Sequence, residues 1–515
     1  MPMEAGLPSR CRTLIVGGGF AGLELAKELS RRGARDIVVL EAGPVGDPRH
    51  VNYLNPPEEA LRMWLDSGAD AYFRRPWRSS SPPHYQGTSG IRRRLGGRSL
   101  YWYGVMLPLE DWALVEPWWP ARVVSDLRDG WEGGPGLYQR IGSMLSEWQR
   151  ALGGPPADGC AETTSEAITV GETNWLPTPH ARVTDTGDAD AERWRAYTPL
   201  EHWWETESGA RRAPVPGVRL CTETEVVNVV VRDGAARGAV IQGRDTGEQT
   251  EIAAEQVVLC AGTLASSRLA IQALYRPAEP DTARLTGLAD HIVQGVSLRL
   301  DGDPAKRVLK EIPPGSYFSA TDAEARSNLF LDVHRRADDA VVVEIRAMGE
   351  QMPSRESYVE CTPAKSYPWA MSVHSAPSAS DRSLLHVQQR LLRSVYEEFC
   401  ELTGIPVAEL LFDEYDEPTH NNSVILPEFV RSLVPGRPVT WANSLGTEDH
   451  EGGTLPLGRL LDENQEFRSV DGLFAAGPIV FPRLGAANPT LTSLALVHRL
   501  AAKLAPPQGE GRTAW

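Results

Sequence analysis

The sequence predicts an α/β fold in which a parallel sheet is assembled from separated stretches of chain and interrupted by a second, largely antiparallel sheet. Three observations carry this expectation. A strand–glycine turn–helix–strand unit opens the chain, and strand-then-helix patterns return in its middle and at its end. Between them lie alternating segments with the two-residue period of strands. At 515 residues the chain is long enough for two or three packed units.

The first unit is the most sharply written. Residues 13–16 form a short apolar strand, residues 21–32 carry Leu23, Leu25, Ala26 and Leu29 at helical spacing, and residues 37–40 form a second apolar strand closed by Glu41. This is a βαβ unit in about 30 residues. Its turn reads Gly17-Gly18-Gly19-Phe20-Ala21-Gly22. In such a Rossmann-like turn Gly17 permits the sharp bend, Gly19 lets backbone approach a pyrophosphate, and Gly22 allows close strand–helix packing. The helix N-terminus then offers free N–H groups to the phosphates. Glu41 follows Gly22 by 19 residues, where a carboxylate binds ribose hydroxyls. Taken alone, this unit does not separate NAD from FAD.

The rest of the chain supplies the other pieces. Residues 43–120 are rich in Pro, Gly, Ser and Arg, residues 136–152 read as an amphipathic helix, and residues 153–215 are turn-rich. Strands are expected at 226–231, 238–242 and 256–260, a meander feeding a final strand. Alternating segments at 294–300, 328–334 and 340–347 predict a separate antiparallel sheet, followed by a helix at 383–402. A strand at 472–476 and a helix at 489–504 close the chain.

Composition narrows the function. The formal charge of −16 argues against nucleic acid, since phosphate binding needs a basic face. No run reaches the roughly 18 apolar residues of a membrane helix, and the N-terminus lacks a secretory h-region, so cytoplasmic location is expected. The six cysteines, Cys11, Cys160, Cys221, Cys260, Cys361 and Cys400, form no C-x-x-C pair and read as free, mostly buried thiols rather than metal ligands. Of fifteen tryptophans most are expected in cores, with some available to line a pocket.

Further motifs follow the first in a fixed order: Glu41-Ala42-Gly43-Pro44, Leu95-Gly96-Gly97-Arg98-Ser99, Val257 to Ser266, His450-Glu451-Gly452-Gly453-Thr454, and Ala487-Asn488-Pro489-Thr490. This set resembles the glucose–methanol–choline (GMC) oxidoreductases, a family of FAD enzymes, over the whole length. Its last stretch is most similar to the pyranose-oxidase branch. The resemblance implies FAD as cofactor. It also implies an FAD-binding domain from residues 1–110, 215–290 and 440–515, and a substrate-binding domain from 111–214 and 291–439.

It implies roles as well. Gly17, Gly19, Phe20, Ala21, Gly22, Glu41 and Ala42 would hold the ADP half of FAD, with the Val226 backbone at the adenine. Gly96, Gly97 and Ser99 would run beside the pyrophosphate and isoalloxazine, and Ala261 and Gly262 would continue the nucleotide sheet. Gly477, Pro478, Pro489 and Thr490 would approach the flavin from the other side. His450 and Asn488 match the family's catalytic pair. Oxidising an alcohol moves a hydride to flavin N5 and a proton to a base, for which neutral histidine is suited. The Asn488 amide would orient and stabilise the alkoxide. The expected substrate is a hydroxylated small molecule: a sugar, glycoside, amino sugar or cyclitol-bearing metabolite. A redox-neutral lyase of the hydroxynitrile-lyase type, with His450 as acid–base, is the alternative.

Departures from the family pattern are informative. Where the branch carries a histidine covalently linked to FAD, this chain has Tyr101, so FAD is expected to be non-covalent, with Tyr101 and Trp102 beside it. Gly477 replaces a commonly acidic residue, and Leu455-Pro456-Leu457-Gly458 replaces the usual ending of the late glycine motif. His291, after Asp290, is read as structural. Arg92, Arg93 and Arg94 would support the pyrophosphate or a salt-bridge rim, and His420, Asn421 and Asn422 would cap a turn or meet substrate.

Overall fold

The computed structural model describes residues 7–153, 167–185, 193–205, 208–243, 247–336, 338–412, 414–415 and 431–506. His420, Asn421, Asn422 and Cys160 therefore lie outside the described residues. Among the described residues the other five cysteines form no disulfide.

Chain segments far apart in sequence meet in one seven-stranded sheet. Arg10–Val16 pairs in parallel with Ile37–Leu40 on one side and with Gln249–Leu259 on the other. Val218–Cys221 extends the sheet beyond Ile37–Leu40, and Leu473–Ala475 pairs in parallel with residues 257–259. The four residues of Ile37–Leu40 are all buried, as expected of a parallel strand covered on both faces. Thr224–Arg232 and Ala235–Gly243 complete the sheet as an antiparallel meander leading into Gln249–Leu259. The strands end where the cofactor motifs begin. Phe20–Arg31 follows the first strand, Thr263–Leu274 the meander's last strand, and Thr490–Leu504 closes the chain. Ala261 and Gly262 do not continue the sheet as expected: the strand stops at Leu259, and Gly262 is the residue that starts the helix.

A second seven-stranded sheet is antiparallel throughout. Its central strands, His291–Leu300, Ser327–Arg335 and Val341–Glu350, pair in register over nearly their full lengths. Val439–Ala442 flanks His291–Leu300, and Gly315–Ala320 with Thr173–Pro177 and Ile168–Val170 form the far edge. Ala379–Thr403 packs on this sheet and begins with a capping box between Ser378 and Asp381. Residues 358–374 lie outside this sheet. Tyr358–Thr362 and Ala370–His374 pair with Arg284–Thr286 and Arg78–Ser79 in a separate four-stranded sheet. Among the described residues no helix is long and apolar enough to cross a membrane.

Candidate active site

One cavity of about 1300 Å³ runs from the first glycine turn to the face of the antiparallel sheet. That exceeds the range of roughly 300–1,000 Å³ usual for a single bound molecule, so it has room for a cofactor and a substrate together. The nucleotide end is made largely of backbone. Gly17 has φ of +107°, and a Cβ there would stand 2.6 Å from the Cys260 carbonyl oxygen. At Gly22 a Cβ would meet the Gly17 carbonyl oxygen at 2.0 Å, so this position closes the turn against the helix. Gly19 is the opposite case: its missing Cβ faces open cavity, with nothing within 4 Å.

The helices at Phe20, Thr263 and Thr490 all begin on the cavity wall, and none has a side chain capping its first turn. Their free N–H groups form a cradle suited to a pyrophosphate and other electron-rich groups of a dinucleotide. Glu41 closes the cradle, accepting from Gly18 N at 3.0 Å and Gly43 N at 2.7 Å. Burial pushes its carboxyl up to about 7 against those bonds. Ala42, Val226, Ala261, Gly262, Gly477, Pro478, Pro489 and Thr490 all line the cavity. These residues fit FAD. Gly22 and Gly96 stand behind the wall, in packing roles.

The second glycine turn packs directly on the first, Gly96 N donating to the Gly18 carbonyl at 2.8 Å. Gly97 lines the cavity, and the Ser99 hydroxyl turns inward to donate to the Gly96 carbonyl at 2.7 Å, with the Thr198 hydroxyl at the same distance. Trp102 packs its indole edge-on to Phe20, with ring centroids 5.1 Å apart. Tyr101 corrects the expectation that it lies beside the flavin. Its ring is buried in the core against Trp64, with the Arg92 guanidinium 5.2 Å from its centroid, and does not reach the cavity. The arginine run resolves toward salt bridges: Arg92 pairs with buried Asp70 at 2.9 Å and Arg93 with Glu225 at 2.7 Å.

His450 and Asn488, 38 residues apart in sequence, face each other on the cavity wall. The Asn488 amide nitrogen is 3.3 Å from His450 Nε2. The loop bearing His450 is held by Arg98 of the second glycine turn, which pairs with Asp449 at 2.9 Å and Glu451 at 2.8 Å. Thr263 at the helix start donates its hydroxyl to the Glu451 carbonyl at 2.5 Å. The loop before Asn488 is held by buried carboxylates: Gly485 N donates to Glu350 at 3.1 Å and Ala486 N to Glu110 at 3.0 Å. Burial, then His291, Arg98 and Arg346, holds the His450 imidazole well below its ordinary value, so it is neutral near pH 7. His291, expected to be purely structural, is in direct contact with it, Nδ1 to Nδ1 at 2.8 Å.

The far wall was not anticipated. Phe330 and Asp332 stand opposite Arg346 and Glu344 in strand register, and all four side chains reach the cavity. Arg346 lies 3.1 Å from Asp332 and 3.6 Å from Glu344. Tyr103, Trp194, Trp441 and Glu448 complete this end. The available signal was Glu344 and Arg346 alternating within the otherwise apolar run Val341-Val342-Val343-Glu344-Ile345-Arg346.

Comparison with known proteins agrees with this architecture. A family model described as an FAD binding domain matches residues 180–309. The curated 5-(hydroxymethyl)furfural oxidase of Methylovorus sp. (strain MP688) is 23% identical, over 95% of this chain and 97% of its own. Pyridoxine 4-oxidase from Mesorbium loti shares the fold with a TM-score of 0.58 at 17% identity, covering 96% of this chain and 99% of its own. Formate oxidase of Aspergillus oryzae RIB40, solved in work on the modification of its FAD, gives 0.60 at 14% identity, covering 97% and 99%. The pyranose-oxidase branch has no counterpart among these three, which bear on the wider family alone. A dinucleotide cradle of this form, a match to an FAD-binding-domain model and a fold shared end to end with these oxidases support a GMC-like FAD oxidoreductase.

Proposed function

We propose that the chain oxidises a hydroxyl group of a small molecule to a carbonyl, with His450 as base and Asn488 orienting the alkoxide. The observation that carries this reading is the His450–Asn488 pair, 3.3 Å apart, on the wall of the cavity into which the dinucleotide cradle opens. FAD, when bound there, supplies the hydride acceptor. Neutral His450 takes the hydroxyl proton at Nε2, and the Asn488 amide donates to the oxygen as its negative charge develops.

FAD is held without a covalent link in this reading, because Tyr101 replaces the linking histidine of the pyranose-oxidase branch. The substrate is a polar hydroxylated molecule of the sugar, glycoside, amino-sugar or cyclitol kind. The charged far wall and the rings of Trp102, Trp194 and Trp441 support this class. The oxidases of 5-(hydroxymethyl)furfural and pyridoxine named above support a small alcohol as the partner, met in the cytoplasm. No feature among the described residues favours the lyase alternative.

Two measurements test the proposal. Heat-denatured protein should release its flavin into solution; flavin that stays attached refutes the non-covalent reading. Under anaerobic conditions a substrate alcohol should bleach the flavin, with pyridoxine and 5-(hydroxymethyl)furfural as first probes. His450→Ala should slow bleaching by about 100-fold or more without loss of FAD. Wild-type bleaching in that variant would sink the assignment.

A further inference from the structure

We infer that His291 is the positioning residue that fixes the tautomer of His450, leaving the Nε2 lone pair of His450 facing the cavity. The role in turnover rests on the oxidation proposed above; the tautomer does not.

The argument starts at the far end of a short chain of hydrogen bonds. The Gly485 carbonyl can only accept, so His291 Nε2, 3.0 Å away, carries the proton. His291 is 1% exposed, and burial holds its pKa down to about 4, so the ring is neutral and its Nδ1 is a bare acceptor. The atom facing that acceptor at 2.8 Å is His450 Nδ1, which must donate. A neutral His450 with its proton on Nδ1 has none on Nε2. Nε2 then accepts from the Asn488 amide at 3.3 Å, and can exchange that partner for a substrate hydroxyl. Every bond in the series runs one way, from Asn488 to the Gly485 carbonyl.

The series is also closed in space. Gly485 and Asn488 belong to one loop, so the group that orients His291 and the group that meets His450 Nε2 move together. Carboxylates fix that loop from behind, through Gly485 N to Glu350 and Ala486 N to Glu110. Asp290 fixes His291 from the other side, accepting the His291 backbone N–H at 2.8 Å and Gly446 N at 2.6 Å. The remaining charges on His450 are Arg98 and Arg346; the two carboxylates flanking its loop, Asp449 and Glu451, are both paired to Arg98. His291 itself brings no counter-charge. It orients the base without stabilising the imidazolium, and no proton can travel past the Gly485 carbonyl.

The test is nitrogen NMR of the FAD-loaded holoenzyme with ¹⁵N-labelled histidine, His450 being assigned by its loss in His450→Ala. His450 should be protonated at Nδ1 and bare at Nε2 near pH 7. The opposite pattern overturns the inference. His291→Gln keeps a donor toward Gly485 but removes the acceptor at the Nδ1 position, whereas His291→Asn keeps an acceptor there. Flavin bleaching should fall about 100-fold or more in His291→Gln, with FAD content retained. It should remain within about tenfold of wild type in His291→Asn. Equal losses in both variants, or no loss in His291→Gln, would reduce His291 to a core residue. If His450→Ala bleaches normally while the tautomer is as stated, the oxidation mechanism fails and the tautomer assignment stands.

Discussion

The two ends of the cavity are built from different materials. At the nucleotide end the contacts come from backbone: the missing side chains of Gly17, Gly19 and Gly22, and the uncapped starts of three helices. At the far end they come from side chains on the antiparallel sheet, where Asp332 and Glu344 share Arg346. At Gly17 and Gly22 the backbone site tolerates almost no change of shape, and its charge complementarity comes from helix N-termini rather than side chains. The sheet wall is the reverse: two like charges stand opposite each other in register, an arrangement that disfavours folding and whose use lies in what it contacts.

Substitutions should expose that contrast. The largest effect is expected at Gly22→Ala, whose Cβ would overlap the Gly17 carbonyl at 2.0 Å; a loss of about 4 kcal/mol or more, with loss of bound FAD, should appear in thermal melts and flavin content. Gly19→Ala, facing open space, should melt near the wild-type temperature yet bind FAD more weakly. If the two variants melt alike, the division between packing and binding glycines fails.

Next comes Arg98→Ala, which strands Asp449 and Glu451. Removing one partner of a buried pair costs about 3 kcal/mol or more. Without Arg98 the two carboxyls rise further above their unfolded values. That contribution is present at low pH and lost as pH rises, so the deficit should be larger at about pH 8 than at about pH 5. Melts showing a constant deficit would contradict it.

A smaller effect of opposite sign is expected at Glu344→Gln. Burial raises the Glu344 carboxyl to about 7, so its stabilising contribution is complete below the unfolded value near 4.5 and lost as pH rises through about 7. The variant should therefore match wild type near pH 4.5 and gain about 1 kcal/mol on it at about pH 8. Smallest of all is Tyr101→Phe. With its ring in the core rather than at the flavin, it should cost about 1 kcal/mol or less and leave the flavin spectrum unchanged. A shifted spectrum would return Tyr101 to the site.

Much of the nucleotide end was legible because its requirements are local. A sharp turn, a helix start and a terminal acid fall within about 30 residues, and only glycine satisfies the first. His450 and Asn488 were legible only through the company of their neighbouring motifs. Tyr101 was misplaced because sequence gives its position along the turn but not the side to which its ring turns. Arg98 stood inside the second glycine motif without a role, since its partners, Asp449 and Glu451, are some 350 residues away. His291 was visible as a residue but not as a contact.

By itself, then, the sequence determined the dinucleotide turn, the main strands and helices of the nucleotide sheet, and the residue types able to do the chemistry. Tertiary structure decided which of them meet. Hydrogen-bond direction at His450 depends on His291 and on the Gly485 carbonyl, and no spacing along the chain encodes that geometry. The far wall depends on strand register, which brings Asp332 opposite Glu344 only when the sheet has formed.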